Sequence, residues 1–386
     1  MTENNYPSKP CAALLTSVAV KPNGRLRPCC WWTDDVEPRL ADTSIKKYIR
    51  EDLSAIYANM EKGEWPQGCN KCNTREQSRW HYYERRYPNA RREPQRLRTM
   101  DLRFGTLCNA SCITCSSTNS NYFYKVKKQG LYLTPEHVPF ESQAEIDAYE
   151  AEQDWWKNAN NINDLIANLD TVDHLYVTGG EPTINPMFHS ILEYLHDHDR
   201  TSEVSIEVNT NGTNLNRHFK KLLQPFKKTV LFSIDGYGEL NDAMRYPTKF
   251  SAVEKNILAY SDIDSGLGDT LIVTPTVCVS NFFALPKLLQ WCESNGITVT
   301  HKLNVLNRPR WQSLSQIPLD LLEIGLNQLK AAGYSHHANT IESRIQGVSY
   351  EKDLLLSWED TKRRIKNWFT SRGYNPIITG IPAINA

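Results

Sequence analysis

The sequence predicts an α/β fold, and two observations carry that prediction. β-type runs recur between Met100 and Val305, and segments with helical apolar spacing separate them. Strands alternating with helices imply parallel βαβ units. At about 150 residues per domain, 386 residues allow one large domain plus a smaller one. The expected division is a small cysteine-rich, metal-binding N-terminal domain with an arginine-rich linker over 1–97, the α/β unit over 98–310 and a helical extension over 311–386. Hydrophobic residues make up 40% of the chain and charged ones 23%, enough apolar material for a core.

Taken in order, the expected strands are Thr99 to Phe104, His174 to Thr178, Val204 to Val208, Thr229 to Ile234, Thr270 to Ser280 and Ile297 to Val305. Helical spacing fits Phe188 to His196, Arg217 to Leu223, and the series Phe283, Leu285, Leu288, Leu289 and Cys292. An insertion from Ser116 to Asp173 is rich in Tyr, Glu, Asp and Trp. Its Trp155-Trp156 pair suits helix-face packing better than a substrate platform. After Ile317 the tail reads as two helices, Leu319 to Ala332 and Tyr350 to Arg372, placed to dock on the α/β unit over a substrate entrance.

Forty-four basic and 44 acidic residues cancel, so no global field favours DNA, anionic lipid or acidic substrates, and any polyanion site must be local. The N-terminus, MTENNYPSKP, lacks the basic and apolar regions of a secretory signal. The longest apolar stretch, Ala12 to Val20, is interrupted by Thr16 and Ser17 and reaches about half the roughly 20 residues of a membrane span. With a mean hydropathy of −0.54, the expectation is a soluble cytoplasmic protein with no membrane partner.

Ten cysteines in such a chain call for metal ligation, since disulfides are rare in a reducing compartment. Eight of them lie in the first third; Cys278 and Cys292 sit in apolar runs and read as small buried hydrophobes. Cys108, Cys112 and Cys115 form a C-x3-C-x2-C triplet directly after the first strand. Zinc sites close with four ligands, often as two C-x2-C pairs. Three thiolates from one short loop suit an iron–sulfur cubane with one open iron, to which the amine and carboxylate of S-adenosylmethionine (SAM) can chelate.

About sixty residues after the triplet, the second strand ends in Gly179-Gly180-Glu181-Pro182. The third ends in Asn209-Thr210-Asn211-Gly212, and the fourth runs into Ser233-Ile234-Asp235-Gly236, with Arg245 nine residues on. Each motif alone is an ordinary turn. In this order they resemble the radical SAM superfamily. That resemblance implies a partial (β/α)6 barrel with active residues at the C-terminal ends of its strands. It also implies SAM and a 4Fe–4S cluster on Cys108, Cys112 and Cys115. Gly179, Gly180, Glu181 and Pro182 would hold the methionine amine, Asn209 the ribose, and Ser233 and Arg245 the carboxylate, with Asp235 a catalytic residue near the active-site mouth. Where the family often has an aromatic residue before the third cysteine, packed on the adenine, this chain has Thr114.

The N-terminal cysteines follow C-x12-G-x4-C, from Cys11 through Gly24 to Cys29, and a C-x2-C pair follows at Cys69 and Cys72. Leu14 to Val20 and the turn Lys21-Pro22-Asn23-Gly24 read as a β-hairpin that brings Cys11 near Cys29. The arrangement resembles the twitch domain, the shortened form of the SPASM domain, which carries an auxiliary iron–sulfur cluster. Here it precedes the barrel, as in a set of similar radical SAM proteins that includes many encoded by phages. A structural zinc site on the same four thiolates is the alternative, and Cys30 competes with Cys29 as a ligand.

Between Arg75 and Arg103 lie nine arginines among Trp80, His81, Tyr82, Tyr83 and Tyr87. Such interleaving is a nucleic-acid signature, yet Glu76, Glu84 and Glu93 break it as a solvated helix would. The resemblance implies a radical SAM enzyme acting on a peptide or protein, with an electron donor such as flavodoxin or ferredoxin. Nucleotide or small-molecule substrates, and a non-enzymatic zinc or iron–sulfur protein that binds nucleic acid, are the alternatives.

Overall fold

The computed structural model describes residues 9–33, 37–73, 78–301, 303–346 and 356–384. Its main sheet contains β1 (Ser17–Val20), β2 (Leu26–Arg27), β3 (Thr99–Arg103), β4 (His174–Thr178), β5 (Ser205–Thr210), β6 (Lys227–Phe232), β7 (Thr270–Val273) and, after β8 (Thr276–Val277), β9 (Thr298–Val299). The order is β2-β1-β3-β4-β5-β6-β7-β9, and every neighbouring pair is parallel except β1 with β2. β8 pairs separately with β10 (Asn304–Val305). From β3 onward the strands follow one another in chain order, which winds the sheet one way into a partial barrel. A doubly wound sheet would reverse direction part-way. The expected six barrel strands are therefore present as β3 to β7 and β9.

Several elements differ from expectation. Residues Ala13–Thr16 form a helical turn rather than the start of a strand, because the Thr16 hydroxyl donates back to Ala12 O at 2.8 Å. The hairpin itself is present, with Gly24 at φ +73° in its turn. The run from Thr270 to Ser280 breaks into β7, β8 and the helix Val279–Phe282, which begins where Asn281 Oδ1 accepts the Cys278 N–H. Helix Ser335–Gln346 was not expected from the sequence; buried Ala338 and Ile341, with part-buried Ile345, supply its inward face. The last long helix is Trp358–Ser371, N-capped by Ser357, while Tyr350 lies outside the described residues. Trp155 and Trp156 are both buried, Trp155 stacking on Phe104, and Cys278 and Cys292 are fully buried.

The register separates the two faces of the sheet. One carries Val18, Met100, Leu175, Ile206 and Val208 into the core. The other, the barrel interior, is polar, and its rows run across the sheet: Ser17, Thr99, His174 and Ser205 at the base, Asp101, Tyr176 and Glu207 midway, and Arg103, Thr178 and Asn209 at the top. Barrel interiors are more often filled by branched apolar side chains.

What fills this one is the helix Arg79–Arg86. Tyr83 OH meets Ser17 Oγ at 2.7 Å, Arg86 Nη2 donates to Ser205 Oγ at 3.3 Å, and the Tyr87 hydroxyl donates to Asp173 at 2.8 Å beside Thr99. Arg91 pairs with Glu84 and Arg98 with Asp173. Most of the described linker arginines are thus spent inside the molecule, and Arg85, Arg92 and Arg96 are the exposed ones; Arg75 and Glu76 lie outside the described residues. Since β1 extends the barrel sheet and this helix plugs its base, residues 9–97 are built into the barrel rather than beside it.

Candidate active site

A cavity of about 280 Å³ opens where β3, β4, β5 and β6 end. Arg103 stands at the end of β3; Thr178, Gly179, Gly180 and Glu181 follow from β4, Asn209, Thr210 and Asn211 from β5, and Ser233 from the segment after β6. Cys108, Ala110, Cys112, Thr114 and Cys115 close one side, with Asn119, Ser120, Arg245 and Pro22. Parallel strands gather residues this way because each carboxyl end releases a loop onto the same rim.

The cysteine loop is pinned from several directions by backbone hydrogen bonds. Glu181 N donates to Leu107 O (2.8 Å), Ser111 N to Tyr246 O and Ile113 N to Met244 O (both 2.7 Å). Asn211 Nδ2 donates to Asn109 Oδ1 at 2.7 Å, bracing the loop against the end of β5. On the far side His137, fully buried, meets Ile113 O through Nε2 at 3.3 Å. Its Nδ1 accepts the Thr134 N–H, so the ring proton belongs on Nε2 and points at that carbonyl. Burial lowers this imidazole to about 3, and it packs on Trp368 of the C-terminal helix with centroids 4.7 Å apart.

Gly180 (φ +58°) is fixed by close approach: an added Cβ would lie 2.3 Å from Leu107 O. The glycine therefore serves contact with the cysteine loop itself. Glu181 is 1% exposed and caps the turn Pro182–Ile184. Its carboxylate accepts from Thr183 N (3.1 Å), Thr183 Oγ1 (2.6 Å), Thr210 Oγ1 (2.7 Å) and Asn211 N (2.7 Å). Four donors nearly saturate a carboxylate, so Glu181 chiefly ties the ends of β4 and β5 together. Burial raises its pKa, and the backbone donor at Asn211 works against that. Pro182 is buried in the turn and does not line the cavity.

Asp235 is not at the mouth. At 1% exposure it lies behind the lining, where Oδ1 accepts the Thr276 N–H (2.8 Å) and Oδ2 pairs with Arg245 Nε at 2.8 Å. Arg245, so held, directs Nη1 at Cys112 Sγ from 3.7 Å. Asp235 is thus a positioning residue for Arg245. Asn209 Nδ2 donates to the Tyr176 hydroxyl at 2.5 Å, which sets its amide at the rim.

The three thiols face the cavity yet sit deep in the protein. Burial pushes Cys108 up to about 12, with the nearby Glu181 adding to it. Burial likewise raises Cys112 and Cys115, and Arg245 opposes it in both. A cationic iron centre would reverse this, because metal ligation takes the proton off a thiol. Among the described residues no three His, Cys, Asp or Glu side chains are gathered tightly enough to hold a single metal ion. The donor set itself, three thiols from one loop facing an open cavity, fits a cubane with one iron free for a ligand.

At the other end of the chain, Cys11, Cys29, Cys69 and Cys72 fall within electrostatic reach of one another. Burial raises Cys11, and Cys29, Cys69 and Cys72 add to it; Cys69 responds to burial, then to Cys29 and Cys72. Gly68 makes this approach possible: a Cβ there would lie 2.6 Å from the Trp32 ring, and Thr33 N donates to Gly68 O at 3.2 Å. Cys30 turns away. Burial raises its thiol while Arg79 opposes this, and Asp101 in the barrel interior adds to the rise. Cys29, not Cys30, is the member of the pair that acts electrostatically on Cys11 and Cys69.

Cavity residues missed from the sequence are Arg103, Thr178 and Asn119, along with His137 behind the loop. The first two could have been found by extending each predicted strand to its carboxyl end. His137 carried no signal, since its partners come from remote segments.

Residues 102–282, just under half of the chain, match the model of the radical SAM superfamily. Those residues are similar to a radical SAM domain. Domains of that superfamily work with SAM and a 4Fe–4S cluster. An uncharacterized protein of Methanocaldococcus jannaschii is 27% identical over 139 residues, covering 36% of this chain and 38% of that one. Among solved structures, Streptococcus suis SuiB aligns over 76% of this chain and 59% of its own, with 14% identity and a TM-score of 0.38. Native anSMEcpe with bound AdoMet aligns over 62% of each chain, with 17% identity and a TM-score of 0.39. The chain thus spans less than two thirds of the length of each of these proteins. No helix among the described residues is long and apolar enough to cross a membrane.

Proposed function

We propose that this enzyme reductively cleaves SAM at a 4Fe–4S cluster held by Cys108, Cys112 and Cys115, and uses the product to modify a peptide or protein. One observation carries the reading: the cysteine triplet, the Gly-Gly-Glu turn, Asn209, Ser233 and Arg245 line a single cavity at the carboxyl ends of parallel strands. When bound, the cluster and SAM supply a one-electron cleavage of the sulfonium to methionine and a 5′-deoxyadenosyl radical, which takes a hydrogen atom from substrate.

The chain's own residues bind, orient and shield. Arg245, anchored by Asp235, offers its guanidinium to the methionine carboxylate beside Cys112 and favours the thiolate there. Gly179 leaves its carbonyl open to the methionine amine, while Glu181 holds that turn against the cysteine loop. Asn209 and Ser233 present an amide and a hydroxyl to the ribose and carboxylate. With Thr114 in place of an aromatic ring, the adenine lies against aliphatic and polar surface. A one-electron donor of the flavodoxin or ferredoxin type supplies the electron. Cys11, Cys29, Cys69 and Cys72 hold a second, auxiliary iron–sulfur cluster in a twitch-like arrangement, supported by their mutual electrostatic reach.

Anaerobic reconstitution with iron and sulfide tests this. Under dithionite the reconstituted chain should convert SAM to methionine and 5′-deoxyadenosine. Iron incorporation without SAM cleavage would reject the reading.

A further inference from the structure

A second cavity, of about 600 Å³, adjoins the first: Thr114, Cys115 and Asn119 line both. Its walls come from three segments remote in sequence, namely the residues just after the third cysteine, the turn around Pro135 to Pro139, and the loop at Arg308 and Pro309. A molecule seated here would touch whatever occupies the first cavity.

The lining is chemically uneven. Ser116, Thr118 and Asn119 offer hydroxyl and amide groups, and Ser116 Oγ and Thr118 Oγ1 lie 2.6 Å apart. Pro135, Pro139 and Pro309 give rigid apolar surface. Two charged residues are present. Glu136 Oε2 already accepts the Arg310 N–H at 2.7 Å. Arg308 is exposed and makes no ion pair or hydrogen bond among the described residues, Glu136 included. One cation therefore faces a polar cavity whose single carboxylate, Glu136, is engaged by a backbone N–H rather than by Arg308. An Arg fork in that setting matches a planar carboxylate. Nucleobase binding relies on aromatic stacking, and no aromatic side chain lines this cavity.

We infer that the second cavity is the substrate site and takes an extended peptide segment whose Asp or Glu side chain pairs with Arg308. The hydroxyls and Asn119 receive the peptide backbone, and the prolines flank it. This rests on the function proposed above, since it is the neighbouring cavity that gives the site its reaction.

The test is peptide selection on the anaerobically reconstituted protein, read by retention alone. Immobilised protein is offered two degenerate heptapeptide pools, one with Glu and one with Gln at the central position. The Glu pool should be retained more strongly by roughly threefold to tenfold. Arg308→Gln should abolish the preference and Arg308→Glu should turn it toward a central Lys pool, while Lys287→Gln, on an exposed helical position away from both cavities, should keep it. Because Arg308 is exposed, its variants should unfold at the wild-type urea midpoint. An equal retention of the Glu and Gln pools, a preference that survives in Arg308→Gln, or stronger retention of single-stranded RNA than of either pool would overturn the inference. SAM cleavage is measured separately. Cleavage without peptide preference sinks this inference alone, and preference without cleavage sinks the function proposed above.

Discussion

The two cysteine groups of this chain are built in opposite ways. Cys108, Cys112 and Cys115 come from one loop, and backbone partners on Tyr246, Met244 and Glu181 hold that loop. They open onto a cavity. Cys11, Cys29, Cys69 and Cys72 come from three segments, and Gly68 lets the chain close on Trp32 beside them. The first group takes its shape from backbone contacts with the barrel. The second is gathered from segments far apart in the chain, so there ligation and folding would support one another.

The largest expected effect falls on the first group. Replacing Cys108, Cys112 and Cys115 together by Ala should abolish 5′-deoxyadenosine formation while thermal unfolding stays near wild type, because the loop's partners are backbone atoms. Retained product would refute the cluster assignment, and a collapsed fold would refute the claim that the barrel sets the loop. The second group should respond in reverse. Cys69→Ser with Cys72→Ser should halve an iron content of about eight, at four per cubane, and open the N-terminal region to limited proteolysis. Cys29→Ser should do the same and Cys30→Ser should not. Four irons and one zinc in the unaltered protein would make the second group a zinc site.

Glu181 tests whether the rim is structural. Glu181→Ala leaves buried donors on Thr183, Thr210 and Asn211 without their acceptor, so stability in urea should fall by about 3 kcal/mol. Unchanged stability with weakened SAM binding would instead make Glu181 chiefly a ligand.

A smaller effect compares the two regions through their histidines. Burial lowers His137, beside the cysteine loop, to about 3; burial and then Arg86 lower His174, at the barrel base, to about 3. Both are neutral in the fold, and the unfolded chain takes up their protons first. Stability is therefore full above the ordinary histidine value and declines as pH falls from about 6.5 toward 3, by about 1.4 kcal/mol per unit for each ring. His174→Phe should remove half of that slope between pH 6.5 and 5, as should His137→Phe; a slope unchanged by both would show that other groups set it.

The contrast also explains what the sequence disclosed. The triplet, Gly179, Gly180, Asn209 and Ser233 were legible because they lie at or just after strand ends, which parallel strands deliver to one rim; Arg245, at the end of the helix Glu239–Met244, was legible only from its spacing. Asp235 was misplaced at the mouth because its motif gives spacing but not direction; its partner is the guanidinium of Arg245, ten residues on in the chain. The arginines and tyrosines of Arg79–Arg86 read as a solvated or nucleic-acid-binding helix. Only the register of β1, β3, β4 and β5 reveals the polar barrel interior that accepts them. His137 was silent because its meaning lies in Ile113 and Trp368, contacts that no local pattern encodes.

The pairing of β1 with β3 also bears on how the chain assembles. Ser17 waits for Thr99, about eighty residues later, so closing that loop costs entropy before any ladder bond repays it. During synthesis β1 leaves the ribosome first and has only the two residues of β2 to pair with until the whole linker has followed. Its permanent neighbour becomes available only as the barrel begins. This strand is thus made well before its neighbour, and until β3 follows its unpaired edge is open to mispairing.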